Sequence, residues 1–155
     1  MITTQPEMLT GLSVEDAEEV LALGSTVALA PGDVLFDLGD DAQCVYLIRR
    51  GRIALTLPMS IGGRHEDVFI EERLPGQTCG WSALIPPRRF TLKASSPLET
   101  EVTAIPRVAL LDYFAAKPQV GYIAALNVAA VIGQRLQVVQ AMWLRQMQRL
   151  VDEHA

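Results

Sequence analysis

The pattern of apolar and polar positions divides the chain into a β-rich part and a helical part. Between residues 25 and 105, short apolar–polar segments alternate with turn residues, which is typical of the strands of a jelly-roll barrel. An N-terminal helix is predicted over Val14–Leu23, because Ser13 and Asp16 form a capping pattern and Gly24 can end the helix. The pattern predicts a mainly β fold, a β-roll or jelly-roll barrel with flanking helices. The predicted strands are Ser25–Leu29, Val34–Phe36, Cys44–Arg49, Arg52–Leu57, Glu66–Glu72, Phe90–Ala94 and Glu101–Ile105.

After Ile105 the pattern becomes helical. Pro106 is suited to the first turn of a helix that runs to about Ala116, and Pro118 can begin a second helix that runs to about Val151. With roughly 30 residues, the second helix would be about 45 Å long, more than a domain of this size can cover. One of its faces carries the apolar stripe Ile132, Leu136, Val139, Trp143, Met147 and Leu150.

Such a stripe on a projecting helix predicts a partner. We therefore divide the chain into a β-roll domain with short flanking helices, residues 1–117, and a long C-terminal helix, residues 118–155, that forms a homodimer. The alternative is that the stripe packs wholly on its own barrel.

Composition and charge bear on the class of protein. The chain has 155 residues, half of them apolar, which fits one domain with a core and an interface. Its net charge of −5 argues against nucleic acid as the main partner. The N-terminus lacks the features of a signal peptide, and the apolar run Val120–Ile132, interrupted by Asn127, is too short to span a bilayer. We expect no membrane partner and a cytoplasmic location.

Reactive residues are few. The two cysteines, Cys44 and Cys79, have neither metal-ligand spacing nor a disulfide pattern. Cys79 could have a depressed pKa near positive groups, or could be a buried inert thiol. His65 and His154 are too far apart in the sequence to form the metal centre of a cupin enzyme, and no nucleophile with a base is recognisable. The sequence therefore predicts no metal site and no enzyme.

Candidate chemistry is concentrated between Pro75 and Ala94. A bend at Gly80 opens a short helical turn with free backbone N–H groups, and two arginines follow that suit a phosphate. The segment reads as an anion-binding cradle or, alternatively, as a surface loop with two solvated arginines. Ser82 could donate its hydroxyl and its amide to the anion, or could serve only as a helix cap.

This segment resembles the phosphate-binding cassette of cyclic-nucleotide-binding domains, as in catabolite activator proteins and the regulatory subunits of cAMP-dependent kinase. That cassette reads Gly-Glu-x-Ala-Leu, a short spacer, then Arg-x-Ala-Thr-Val-x-Ala. Gly80, Ala83-Leu84 and Thr91–Ala94 match it. Arg88 falls on the phosphate-binding arginine, with Arg89 beside it.

The resemblance extends to a Pro-Gly turn and strand in Ala30–Phe36 and a hairpin in Val45–Leu55, and covers about residues 12 to 150. It implies a stand-alone, non-enzymatic sensor that signals through another protein. No cofactor follows from the residues themselves; cAMP, another cyclic nucleotide or another small anionic ligand is what the resemblance implies. The implied ligand-binding residues are Gly80, Trp81, Ser82, Ala83, Leu84, Arg88, Arg89 and Thr91.

Trp81 is the main departure from the cassette, because the family has a glutamate there that holds the ribose 2′-hydroxyl. We expect weakened binding of ordinary cyclic nucleotides, with the indole either stacking on a flat ligand or filling the cavity. Arg88 and Arg89, being adjacent, would point to opposite faces of a strand, so only one could face the pocket. The alignment favours Arg88.

Two other functions stay open. The chain could be a ligand-free dimeric scaffold for a larger complex, or the effector-domain fragment of a transcription regulator. The regulators of this family carry a helix-turn-helix domain after the long helix, whereas only residues 152–155 follow it here. We therefore expect no binding of nucleic acid.

Overall fold

The computed structural model describes residues 5–155, so the first four residues of the predicted β-roll domain lie outside it. Its strands are β1 Ser25–Leu29, β2 Val34–Phe36, β3 Cys44–Arg50, β4 Ile53–Ile61, β5 Arg64–Arg73, β6 Thr78–Cys79, β7 Lys93–Ser95 and β8 Thr100–Pro106. Its α-helices are α1 Val14–Leu21, α2 Arg107–Ala116 and α3 Pro118–Glu153, and its short 3-10 helices are Glu7–Leu9 and Trp81–Leu84.

The strands form two antiparallel four-stranded sheets that face each other as a jelly roll. One sheet has the order β1-β8-β3-β6 and the other β2-β7-β4-β5. Side chains of alternating positions fill the space between them, with Val45, Leu47, Ile53 and Leu55 at most 2% exposed. The predicted β-roll with an N-terminal and a long C-terminal helix is confirmed.

The N-terminal helix begins as predicted. Ser13 has an extended backbone, and its Oγ accepts a hydrogen bond from the Asp16 amide at 3.1 Å. The helix ends at Leu21, two residues before the predicted end. The 3-10 helix Glu7–Leu9 and the two-residue strand β6 were not predicted, because both are too short to show a periodicity.

The prediction of a strand over Phe90–Ala94 is wrong for its first half, because β7 begins only at Lys93. Arg88 has a left-handed backbone with φ of 58°, and it follows a cis bond between Pro86 and Pro87. Arg89 forms only an isolated bridge with Asp41. The two arginines therefore do not lie on a regular strand, and the argument that they point to opposite faces does not apply.

The long helix α3 has two different halves. Its N-terminal half buries Val120, Ala124, Val128 and Val131 against the β-roll. Asn127, which interrupts the apolar run, donates from Nδ2 to the carbonyl oxygens of Met8 and Thr10, both at 2.8 Å. The polar residue thus fastens the helix to the N-terminal segment.

The C-terminal half of α3 leaves large apolar side chains uncovered within residues 5–155. Leu136, Trp143 and Leu150 are 57%, 61% and 50% exposed. Ile132, at the start of the predicted stripe, packs partly against the core. By length and composition, α3 is also a helix that could cross a membrane. The apolar run Val120–Ile132 alone had been too short to suggest this.

Candidate ligand-binding site

The candidate site begins at Gly80, where β6 turns into the 3-10 helix Trp81–Leu84. Gly80 has a left-handed backbone with φ of 77°. A side chain here would also collide, since a Cβ would lie 3.0 Å from the Tyr46 ring, 3.2 Å from the Cys44 carbonyl and 3.3 Å from Phe90. Both the backbone angle and the close packing therefore require glycine, which fixes the direction in which Trp81 leaves the sheet.

The cassette borders a small pocket under α3. Its cavity volume is about 10 Å3, enough for about one water molecule. The lining residues are Phe36, Leu55, Gly80, Trp81, Ser82, Phe90, Thr91, Leu92 and Arg135.

Aromatic rings and one guanidinium fill this region. The rings of Phe36 and Phe90 stack with centroids 3.7 Å apart and an angle of 11° between their planes. The guanidinium carbon of Arg135 lies 5.5 Å from the centroid of the Trp81 ring. The indole Nε1 of Trp81 is buried and has no hydrogen-bond partner within the described residues. The Trp81 ring thus occupies part of the lining of the pocket, and its Nε1 forms no hydrogen bond with the described residues.

The structure brings only part of the predicted site together. Gly80, Trp81, Ser82 and Thr91 line the pocket. Ala83 is fully buried in the core. Which of the eight predicted residues contact a ligand stays a prediction.

Leu84 lines a different, apolar groove with a cavity volume of about 230 Å3. This groove lies between the cassette helix, α2 and α3, and its lining residues are Leu84, Ile85, Leu111, Phe114, Ala125, Val128, Ala129 and Ile132.

Arg88 and Arg89 are not among the residues that line the pocket. The Nε of Arg88 is buried and has no hydrogen-bond partner within residues 5–155, while its carbonyl oxygen accepts from the Ala42 amide at 2.9 Å. The exposed Arg89 donates from Nη1 to the Gly39 carbonyl at 3.3 Å. Arg88 is thus bonded to the loop at residues 39–42 through its backbone and Arg89 through its side chain, and neither side chain lines the pocket.

Arg135 is the charged pocket residue that sequence reasoning missed, together with the apolar Phe36, Leu55, Phe90 and Leu92. It lies on α3, and its Nε donates to the Glu71 carboxylate of β5 at 2.7 Å. The two side chains are only 13% and 15% exposed. A signal was present in the sequence, because Arg135 is the only charged residue between Lys117 and Arg145.

The ion pair continues into the β-roll. Arg73, which is 5% exposed, lies 3.9 Å from Glu71 and forms a second pair with Glu7 of the N-terminal 3-10 helix. Its Nε donates to the carbonyl of Thr78 at 2.9 Å, and the Thr78 amide donates to Glu7 at 3.0 Å. Because Thr78 lies two residues before Gly80, this network positions the cassette.

Cys79, beside the cassette, is a buried, unreactive thiol. Burial raises the pKa of Cys79 to about 12, although the charges of Arg73 and Arg135 act in the opposite direction. The thiol is therefore protonated at neutral pH, as the second of the two interpretations of this residue expected. No group of three His, Cys, Asp or Glu side chains suited to a metal occurs among residues 5–155.

The sequence matches a known protein family, and the fold is similar to solved structures. A family profile described as "Cyclic nucleotide-binding domain" matches residues 26–117. No curated protein matches the chain in sequence. Among solved structures, the N-terminal domain of a transcriptional regulator from Streptomyces coelicolor A3(2) is similar, with a TM-score of 0.69, 23% identity, and coverage of 83% of this chain and 89% of that one.

Two longer proteins contain a similar fold. The catabolite activator protein of Thermus thermophilus has a TM-score of 0.73 and 23% identity, with 91% of this chain and 63% of that chain covered. The c-di-GMP-responsive global regulator CLP of Xanthomonas campestris has a TM-score of 0.74 and 15% identity, with 86% and 64% covered. The chain thus spans less than two thirds of either protein, and at these identities the likeness concerns the fold.

Proposed function

Because the chain belongs to the cyclic nucleotide-binding domain family, we propose that it is a non-enzymatic regulatory module that forms a homodimer through α3 and acts on a partner protein. One observation carries the ligand part of this proposal: the pocket that Trp81 helps to line has a cavity volume of only about 10 Å3. A nucleotide is many times larger than a water molecule, so binding requires Trp81 or α3 to move. We expect cAMP and cGMP to bind weakly or not at all.

The chemistry of the cassette supports the same expectation. Trp81 occupies the position at which the family resemblance places a ribose-binding glutamate, and an indole cannot accept a hydrogen bond from a hydroxyl. Losing a charge-assisted hydrogen bond costs roughly 1.5–3 kcal/mol, which corresponds to about 10- to 100-fold in affinity. Among the residues that line the pocket, Ser82, Thr91 and Arg135 could donate hydrogen bonds to a small anion, whereas Arg88, which the family resemblance assigns to the phosphate, would have to move to reach it.

The exposed face of α3 supports the homodimer. Leu136, Val139 and Trp143 recur at steps of three and four residues, the spacing of a seam between two helices. Their exposure in the single chain, 44% to 61%, leaves this face available for a second copy.

Calorimetry and sedimentation test the two parts separately. We expect the wild-type chain to give no measurable heat with micromolar cAMP, cGMP or c-di-GMP, and to sediment as a dimer. Submicromolar binding of cAMP would contradict the ligand part. A monomer at micromolar concentration would contradict the dimer, and flotation of the chain with lipid vesicles would assign the exposed face to a membrane instead.

A ligand-free dimeric scaffold is the second candidate, and the small volume of the pocket favours it. The scaffold and the sensor differ in what an opened pocket does. In a sensor, Trp81→Ala should make the chain respond to one member of the nucleotide panel, whereas in a scaffold the same variant should bind none of them. No binding of DNA and a cytoplasmic location remain predictions for either candidate.

A further inference from the structure

We infer that Arg135 and Glu71 form an internal latch over Trp81 that occupies the position of a ligand and holds α3 on the cassette. An entering anion would open this latch by displacing the Glu71 carboxylate from Arg135. The inference rests on the proposed function in one respect, namely that this pocket is the regulatory site.

The latch joins three elements that are far apart in the sequence. Glu71 lies on β5, Trp81 opens the cassette helix, and Arg135 lies on α3 at the boundary between its covered and uncovered halves. Arg135 contacts both others, with its Nε 2.7 Å from the carboxylate and its guanidinium 5.5 Å from the indole centroid. No other charged residue of α3 between Lys117 and Arg145 could replace it.

Burial distinguishes this ion pair from those at the surface. The side chains of Arg135 and Glu71 are 13% and 15% exposed, whereas those of the surface pair Arg50 and Glu99 are 64% and 75% exposed. Charges held away from water interact more strongly, and removing one partner leaves the other uncompensated. The surface pair should therefore contribute little, while the latch should fix the position of α3.

Further contacts connect Glu71 to the cassette, so the latch joins α3 to the cassette and not only to strand β5. Arg73 lies beside Glu71 and is bonded to the Thr78 carbonyl of β6. Release of Arg135 would leave Glu71 paired with Arg73 and would free the half of α3 that follows Arg135, while the half before it stays packed on the β-roll. Displacement of the latch at the pocket and movement of the helix are thus one event.

The ligand class follows from the guanidinium. Within residues 5–155, Nε is the only guanidinium nitrogen of Arg135 that has a hydrogen-bond partner, and a phosphate group can occupy an arginine fork as a carboxylate does. The ligand that opens the latch should therefore carry a phosphate or a similar oxyanion. On binding, it would also replace the contact between the Trp81 indole and the Arg135 guanidinium.

Fluorescence of Trp81 reports directly on the latch. In a Trp143→Phe background, Trp81 is the only tryptophan, and acrylamide quenching measures its accessibility. We expect Arg135→Met to raise the quenching constant about threefold, because the ring loses its cover. Arg145→Met, an exposed arginine on the same helix, is the matched control and should change nothing.

Glu71→Gln is the second arm, and it keeps the inference testable if Arg135→Met does not fold. It should raise quenching in the same direction, and the double variant should quench no more than the stronger single variant, because the two residues act as one unit. Arg135→Lys should restore part of the protection. Equal quenching of Arg135→Met and Arg145→Met, or no effect of Glu71→Gln, would overturn the latch.

Inorganic phosphate tests the exchange itself. Phosphate should raise the quenching constant of Trp81 more than chloride at equal ionic strength, and Arg135→Met should abolish that difference. No difference between the two salts would refute displacement by an anion. Sedimentation of Arg135→Met with Trp143 retained keeps the proposals apart, since this variant leaves the apolar stripe intact and should still form a dimer.

Discussion

The two halves of α3 both carry an apolar face but differ in what covers it. The half before Arg135 buries Val120, Val128 and other small side chains against the β-roll, and Asn127 ties it to the N-terminal segment. The half after Arg135 carries larger side chains, such as Leu136 and Trp143, which the described part of the chain leaves exposed. The comparison teaches that an apolar face identifies a contact surface but does not identify its partner.

The largest expected effect concerns the uncovered half. Replacing Leu136 and Val139 by glutamate would place unpaired charge in a seam between two helices, which is costly to bury. We expect the dimer dissociation constant to rise at least about 100-fold, equivalent to about 2.7 kcal/mol, and sedimentation to show a monomer. The matched control is Gln137→Glu with Gln148→Glu, at exposed positions away from the stripe, which should remain dimeric. A dimeric Leu136/Val139 variant would exclude this seam.

The tryptophans on the two sides of the boundary should respond differently to truncation. Trp81→Ala leaves a cavity between the cassette and α3 and should lower the free energy of unfolding by about 2–4 kcal/mol. Trp143→Ala should act mainly through the dimer. In urea unfolding, the loss caused by Trp81→Ala should therefore not depend on protein concentration, whereas the loss caused by Trp143→Ala should. Indole added to Trp81→Ala should recover part of the lost melting temperature, and failure to recover any would show that the vacated space collapses.

The next prediction concerns the affinity for cAMP of the pocket beneath the covered half of α3, and which arginine holds the phosphate. Trp81→Glu should tighten cAMP binding by about 10- to 100-fold, since a hydrogen-bond acceptor for the ribose hydroxyl returns. If Arg88 moves to the phosphate as the family resemblance implies, calorimetry of Trp81→Glu with Arg88→Ala should show that gain lost. Arg89→Ala in the same background should matter little, because Arg89 is exposed and donates to the Gly39 carbonyl. If only Arg89→Ala abolished binding, the assignment of the phosphate to Arg88 would be off by one residue.

The smallest effect is expected at Asn127 in the covered half. Asn127→Ala removes two hydrogen bonds of 2.8 Å to the carbonyls of Met8 and Thr10. The cost should be about 1–2 kcal/mol of unfolding free energy, together with faster amide exchange in residues 5–12. Leu126→Ala, at the neighbouring exposed position, should cost less. Equal costs would mean that the hydrogen bonds contribute nothing beyond packing.

Most of the fold could be predicted from the sequence, because alternation of apolar residues and turn residues is local information. The two-residue strand β6 was missed, since its pairing with β3 is visible only in three dimensions. The conformation of Arg88 was also missed. The contacts of its loop with residues 39–42 hold it in a left-handed backbone that an alignment with a regular strand does not suggest.

The candidate site was predicted only on its cassette side. Gly80, Trp81, Ser82 and Thr91 line the pocket and were identified from their motif. Arg135 and Glu71 belong to no local pattern, because they meet across 64 positions of sequence. The signal that pointed to Arg135, a single charge in a long uncharged helix, identifies a residue that needs a partner but not the partner itself.

Because α3 continues far beyond Arg135, a small tilt of the helix at this residue would move its C-terminal end by a larger distance. From Arg135 to the end of the helix at Glu153, a straight rod of about 27 Å extends beyond the point of attachment. A tilt of about 10° at that pivot would displace the tip by about 5 Å, comparable with one helical turn. A rearrangement as small as the exchange of one carboxylate could in this way be amplified into a movement that a bound protein can detect.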